Sequence, residues 1–475
     1  MLFPTRTRHP ELYPYRHGLY FAFFHALNWQ VVIGTPTVLF MQHLGADSFQ
    51  VGLVFAWTFL LTPVQVVATA LLPHLGYKRL TLFGWNARAW FLLVPLGLAA
   101  LAPAHPSGWM ISGMVIAMFC YAIYRAMGTA AITPWLYQVV PEDVRGRYWS
   151  TDQLLAAVAG LGILMLCAAI FIVLPPYSAF QVQYLIAVFG ALAAYRELKR
   201  LPDVPKPKLI SLEKILTETP RLLTQRGLYR TYLYQSVPLF IAITPLAPFT
   251  AFYLKTAHGT AAAAIMIYAM LTYLGVITAN IVMRSRIDRV GAKPFFRYSY
   301  SGYGFVAVGW LAFLKVGEPL NAIVPVLFFV QGFAGGCWTS ANLNYLVRLV
   351  PAEDRALPVS LHSATITCLG GVAPVGWGLF LKDDSGRAVR EPVFVAFFII
   401  LLLVMVVLSL LLRRLPEQAP ADEPLLRGAW LLRPIRGLAN LINLTESPPR
   451  AVRPPSDSSG ETGPAASHDG ARKRD

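Results

Sequence analysis

The chain has 475 residues, of which 56% are hydrophobic and 13% charged, and its mean hydropathy is +0.53. Soluble globular chains carry about a quarter charged residues, so an ordinary water-soluble domain is excluded. The net charge of +16 comes from cations gathered in one set of loops; it reads as attraction to anionic lipid and gives no reason to expect nucleic acid.

Arg6, Arg8 and Arg16 stand ahead of the first apolar block, and no short apolar core with a small-residue cleavage site follows, so no removable leader is expected. Apolar blocks of about 20 residues, enough for a helix to cross about 30 Å of hydrocarbon, recur along the whole chain. They lie near 18–41, 50–72, 80–102, 110–137, 150–174, 182–198, 230–253, 261–283, 296–316, 320–347, 358–381 and 392–413. The pattern predicts an all-α integral membrane protein with twelve transmembrane helices in two pseudo-symmetric six-helix bundles. The expected domains are an N-terminal arm (1–17), a first bundle (18–198), a linker with a surface helix (199–229), a second bundle (230–413) and a C-terminal tail (414–475). In the linker, Leu209, Leu212, Ile215 and Leu222 recur as on a helix lying on a membrane. Residues 423–444 alternate apolar and basic in a similar manner, and the Pro-, Ser- and Gly-rich end is expected to be disordered.

Lys and Arg accumulate in short cytoplasmic loops. Of the 40 basic residues only Lys255, Lys315, Lys382, Arg387 and Arg390 fall in loops on one side, so both termini are expected in the cytoplasm, with the chain in an inner or plasma membrane. Cys120, Cys167, Cys337 and Cys368 all lie in predicted spans with no CxxC spacing, which reads as buried, inert thiols. No P-loop, GxSxG, HExxH or acidic metal cluster is present, so neither an enzyme nor a cofactor is expected.

The two halves echo each other. At an offset of 210, WLYQVVPEDVR (135–145) lies over YLVRLVPAEDR (345–355), and HLGYKR (74–79) answers DRVGAK (288–293). With twelve spans, two six-helix repeats, a long central connector and a D-R-x-G-x-[KR] loop met by Asp288, Arg289, Gly291 and Lys293, residues 15 to 415 resemble the major facilitator superfamily. The first half keeps Gly76, Lys78 and Arg79, with Pro73 and His74 where the acidic–basic pair would stand. The resemblance implies alternating access around a cavity lined by spans one, four, seven and ten, with the loop residues gating the movement. The plainer reading of Asp288 and Arg289 is that they cap helix ends and hold the loop.

In the fourth span Tyr121, Arg125, Gly128, Ile132 and Trp135 share one helix face, and the offset places them over Gln331, Gly335, Trp338, Asn342 and Tyr345 in the tenth. A lipid-facing helix has no reason to gather such residues, so a cavity face is expected. Close packing competes, since Gly128, Gly335 and Gly336 permit near approach of backbones. Arg125 lies about 15 residues from either helix end, too deep to snorkel, and no acidic residue falls inside a span to neutralise it; Asp152, at the end of span five, comes nearest. A planar guanidinium suits carboxylate or phosphate, so an anionic organic solute is the sharper expectation, beside a coupling role and plain hydrogen bonding. Arg88, about eight residues inside span three, reads as a snorkelling side chain.

His25 and Asn28 share a face of span one at cavity depth, with Trp29 and Gln30 turned elsewhere. Span seven offers Tyr234 and Gln235, then Pro238, Pro245 and Pro248, which should interrupt the helix. The substrate-binding candidates are thus Arg125, Tyr121, His25, Asn28, Gln235, Gln331, Trp338 and Asn342. His362 reads as a packed histidine. With no carboxylate in the membrane, uniport or anion exchange is favoured, and His25 remains the proton candidate for symport. The expected partners are a small-molecule solute, a proton or counter-anion and membrane lipids, with the chain a monomer. Two rivals stand beside this reading: a drug/proton efflux antiporter, and a transporter-like scaffold or receptor that moves nothing.

Overall fold

In hydrocarbon every backbone N–H and C=O must be satisfied within the segment, and the apolar blocks accordingly coil into helices. The computed structural model describes residues 3–6, 10–102, 108–206, 220–284, 287, 291–349, 356–381 and 391–416, which contain no strand. Most of the linker pattern and all of residues 423–444 lie outside the described residues.

The first span is two helices, α1 (Arg16–Val32) and α2 (Thr35–His43), because Pro36 has no N–H for the turn that would join them. Prolines also divide the second into α3 (Ser48–Leu60), α4 (Pro63–Thr69) and α5 (Leu72–Leu75). Then follow α6 (Tyr77–Phe91), α7 (Leu93–Leu101), α8 (Trp109–Val139), α9 (Glu142–Val173) and α10 (Pro176–Lys199). The second half holds α11 (Leu228–Ile243), α12 (Leu246–Thr256), α13 (Ala262–Arg284), α14 (Lys293–Val316), α15 (Ile323–Leu349), α16 (Ala356–Leu381) and α17 (Glu391–Leu411).

Among the described residues ten stretches are long and apolar enough to cross a membrane, against the twelve expected. The two outside that group are the first, whose pieces are 17 and 9 residues long, and α14, which carries Lys293, Arg297 and Lys315 among tyrosines, serines and glycines. Of the three prolines expected to interrupt span seven, only Pro245 does. Pro238 is accommodated inside α11 and Pro248 sits in the first turn of α12. Large apolar side chains such as Phe83, Trp90, Ile172 and Phe380 cover the outside, where a lipid environment makes them neutral.

The halves meet through α3 with α16, α9 with α13, and α2 with α12. The bundle face carrying the N-terminus is called proximal here and the other distal. A capping box between Asp47 and Gln50 starts α3 at the distal face, and Ser48 Oγ then donates to the Gly378 carbonyl at 2.7 Å. Nearby, Gln42 Nε2 donates to the Phe252 carbonyl at 3.0 Å. Deeper, Gln30 Nε2 donates to the Tyr273 hydroxyl. These three bonds tie the halves together from this depth to the distal face, so the distal side is closed.

Candidate functional site

The site begins with two glycines. A Cβ added to Gly84 would stand 2.6 Å from the backbone nitrogen of Gly128, and one added to Gly128 would stand 2.4 Å from the Trp85 ring. Helices α6 and α8 therefore cross with their backbones in contact, as small residues allow where lipid supplies no hydrophobic drive. The crossing brings Arg88, one turn after Gly84, and Arg125, one turn before Gly128, to neighbouring α1 side chains, His25 and Trp29.

Arg88 Nη2 donates to His25 Nδ1 at 3.1 Å. Its guanidinium lies 4.3 Å from the centroid of the Trp85 ring and 5.6 Å from that of Tyr121. Arg125 lies 4.6 Å over Trp29. His25 stacks on Phe21 at 5.4 Å and sits 5.9 Å from both Trp29 and Trp85. Aromatic faces attract both cations but carry no charge. Arg88 is fully buried, with Nε and Nη1 unpartnered, whereas His25, Trp29 and Arg125 keep partial access. The expectation that Arg88 snorkels to a headgroup is overturned: the helix crossing turns its side chain inward.

A guanidinium only donates, so His25 Nδ1 must accept and the ring is neutral with its proton on Nε2. In this arrangement His25 offers a donor and is not a free base. Behind it, the Tyr121 hydroxyl donates to Asn28 Oδ1 at 2.8 Å and Asn28 Nδ2 donates to the Ala187 carbonyl at 3.1 Å. Both residues are fully buried and tie α1, α8 and α10 together. Of the fourth-span stripe, Tyr121, Gly128, Ile132 and Trp135 are buried in helix contacts, and Arg125 keeps access.

The second half is less polar. The Tyr232 hydroxyl donates to Asn342 Oδ1, and Asn342 is half-buried. Trp338 packs on Phe240 at 4.8 Å, and Gln331 is buried. Gln235 donates to the Leu411 carbonyl at 3.1 Å, which turns its amide to the end of α17. His362 lies flat on Tyr232 at 5.2 Å with Nε2 3.2 Å from Ser236 Oγ. Gln30 and Tyr273, which join the halves beside Gly160, had no signal in the sequence: glutamine and tyrosine in a span say nothing about which partner they meet.

At the loop motifs, Gly76 and Gly291 both adopt positive φ, +81° and +83°, a conformation glycine enters at no steric cost. They occupy matching places before α6 and α14, a trace of the repeat in the backbone. Lys78 Nζ donates to the Leu201 carbonyl at 2.6 Å, Arg79 is exposed and Lys293 opens α14. Asp288 and Arg289 lie outside the described residues.

The sequence profile of the Major Facilitator Superfamily matches residues 236–446. Among solved structures, a D-xylose-proton symporter is similar at a TM-score of 0.67 and 14% identity, covering 86% of this chain and 98% of that one. The chain has the major facilitator superfamily fold. A variant of the nucleoside transporter NupG is similar at 0.65 and 12% identity, covering 83% and 98% of the two chains. A bacterial homologue of the iron transporter ferroportin, in an inward-facing state, is similar at 0.62 and 14%, covering 85% and 98%. These likenesses span both halves, whereas the profile match lies in the second half and the tail. No curated protein matches by sequence. Polar groups are unevenly distributed between the halves: the first gathers two arginines and a histidine, and the second carries Asn342 on the Tyr232 hydroxyl amid aromatic surface.

Proposed function

We propose that this integral membrane protein is a gradient-driven transporter that carries an anionic organic metabolite by alternating access. A major facilitator transporter fold is consistent with secondary transport of small solutes. The reading of the solute's charge rests on Arg125, largely buried over Trp29 with partial access and without a carboxylate partner among the described residues. Leaving a buried cation uncompensated costs several kcal/mol, and a solute anion would supply the missing charge. His25 would donate to the solute through Nε2, Asn342 would face it from the second half, and Tyr121 and Asn28 would hold α8 and α1 in register. Gly76, Lys78, Arg79, Asp288, Arg289, Gly291 and Lys293 would serve the hinge movement. In this proposal the proximal face is cytoplasmic, so the closed distal side corresponds to a state shut toward the outside.

The test is thermal stabilisation of the purified protein by a panel of sugars, organic acids, phosphorylated metabolites and cationic drugs, followed by uptake of the hits into proteoliposomes. Anions should stabilise the wild type, and Arg125→Ala should weaken their binding by about tenfold or more. Equal stabilisation of both proteins by neutral or cationic compounds would sink the anion reading and favour a drug antiporter.

A further inference from the structure

The centre of the first half holds more positive charge than one carboxylate could balance. Arg88 is fully buried, its Nε and Nη1 have no partner, and the single hydrogen bond it makes is to a neutral imidazole. Among the described residues Arg125 meets the Trp29 face and no carboxylate. No described Asp or Glu pairs with either: Glu197 is taken by His17 and Arg200, Asp47 caps α3, and Asp152 accepts from Gln153. Two guanidinium charges thus converge on His25 and Trp29 with no carboxylate among the described residues opposing them.

Buried cations in this number are tolerated when an anion of matching charge arrives. A monoanion would leave one guanidinium uncompensated. We propose that Arg88, His25 and Arg125 together select a dianionic headgroup, a phosphate monoester or a dicarboxylate, over the corresponding monoanion. The proposal rests on the anion reading of Arg125 given above and adds a second residue and a charge to it. Arg88 acts in two ways. It contributes the second positive charge, and by donating to His25 Nδ1 it fixes the imidazole with Nε2–H free as a neutral donor to the solute. It is a positioning residue for His25, and the partly accessible His25 and Arg125 make the contact. The aromatic walls formed by Phe21, Trp29 and Trp85 keep water from screening these charges, which raises their effect on a bound anion.

The experiment measures binding of matched probes to the full-length protein in nanodiscs: phenyl phosphate against methyl phenyl phosphate, and succinate against monomethyl succinate. Within each pair the organic part is nearly constant and one charge is removed. The wild type should bind the dianion about tenfold or more tightly than its partner. Arg88→Gln should weaken both members but the dianion by far the more, so that the ratio falls close to one, and Arg88→Lys should restore part of it; Arg125→Gln should weaken both members. A second reading needs no variant: phenyl phosphate should bind the wild type more tightly as pH rises through its second ionisation near about 6, while methyl phenyl phosphate should show no such rise.

A wild type that binds both members of each pair equally, with a flat phosphate pH profile, overturns the dianion proposal. If in that case both members still depend on Arg125, the broader anion reading survives. If neither member binds and neutral solutes do, both readings fall together. Should Arg88→Gln not fold, the pH profile and the wild-type ratio decide alone.

Discussion

A Cβ built on Gly84 would stand 2.6 Å from the backbone nitrogen of Gly128, so no side chain of either residue separates α6 from α8 at their crossing. The obstruction is backbone and cannot turn aside. Gly84→Ala should destabilise the protein by about 1–3 kcal/mol through overpacking. Gly162 in α9 has open space around it, and Gly162→Ala should be neutral or stabilising by about 0.5–1 kcal/mol. Thermal unfolding in detergent compares them, and equal midpoints for the two variants would mean the crossing is not as close as described.

Burial of Arg88 without a charged partner costs stability when no solute is bound. Arg88→Met keeps the bulk against Trp85 and removes the charge, so the solute-free protein should gain about 1 kcal/mol or more. Its stabilisation by anions should shrink at the same time. A lower solute-free midpoint would show that the bond to His25 and the stacking on Trp85 outweigh the cost of burial.

Closure of the distal face rests partly on Ser48, whose hydroxyl crosses from α3 to the Gly378 carbonyl. Ser48→Ala removes a bond worth about 0.5–1.5 kcal/mol and should raise the population of distal-open molecules roughly 2- to 10-fold. Spin labels at the exposed positions His43 and His258, with the native cysteines replaced, report that opening as a longer component in the distance distribution. An unchanged distribution would assign closure to the α3–α16 packing alone.

Pro245 separates α11 from α12, and Thr244 Oγ1 donates to the Phe240 carbonyl at 2.6 Å just before the break. Pro245→Ala returns an N–H that can reach the Ile241 carbonyl. The two helices should become continuous, and amide exchange around residues 241–249 should slow about tenfold or more, as added local stability of about 1.4 kcal/mol requires. Exchange at the wild-type rate would place the break in packing forces and not in the missing donor.

The order of helices was legible in the sequence because it depends on block length and on breakers along one chain: α8 and α15 lie where the apolar blocks of the fourth and tenth spans predict them, and Gly76 and Gly291 mark matching corners of the repeat. The repeat and the loop signature sufficed to expect the major facilitator fold. Span seven was half legible, since its three prolines were visible but only Pro245 breaks the helix.

Rotation was not legible. A soluble helix shows its inner face by its apolar stripe, but lipid is as apolar as a protein core, so Phe83 outside and Trp85 inside carry the same signal. Depth along a helix placed Arg125 correctly in the interior and, by the same count, sent Arg88 toward a headgroup. Only the crossing of α6 on α8, which depends on two glycines 44 positions apart meeting in space, decided that Arg88 faces His25. The sequence by itself determined that one charge, Arg125, lies deep in the membrane; the tertiary structure decided that Arg88 is buried beside it, because convergence is a relation between helices and no single helix encodes it.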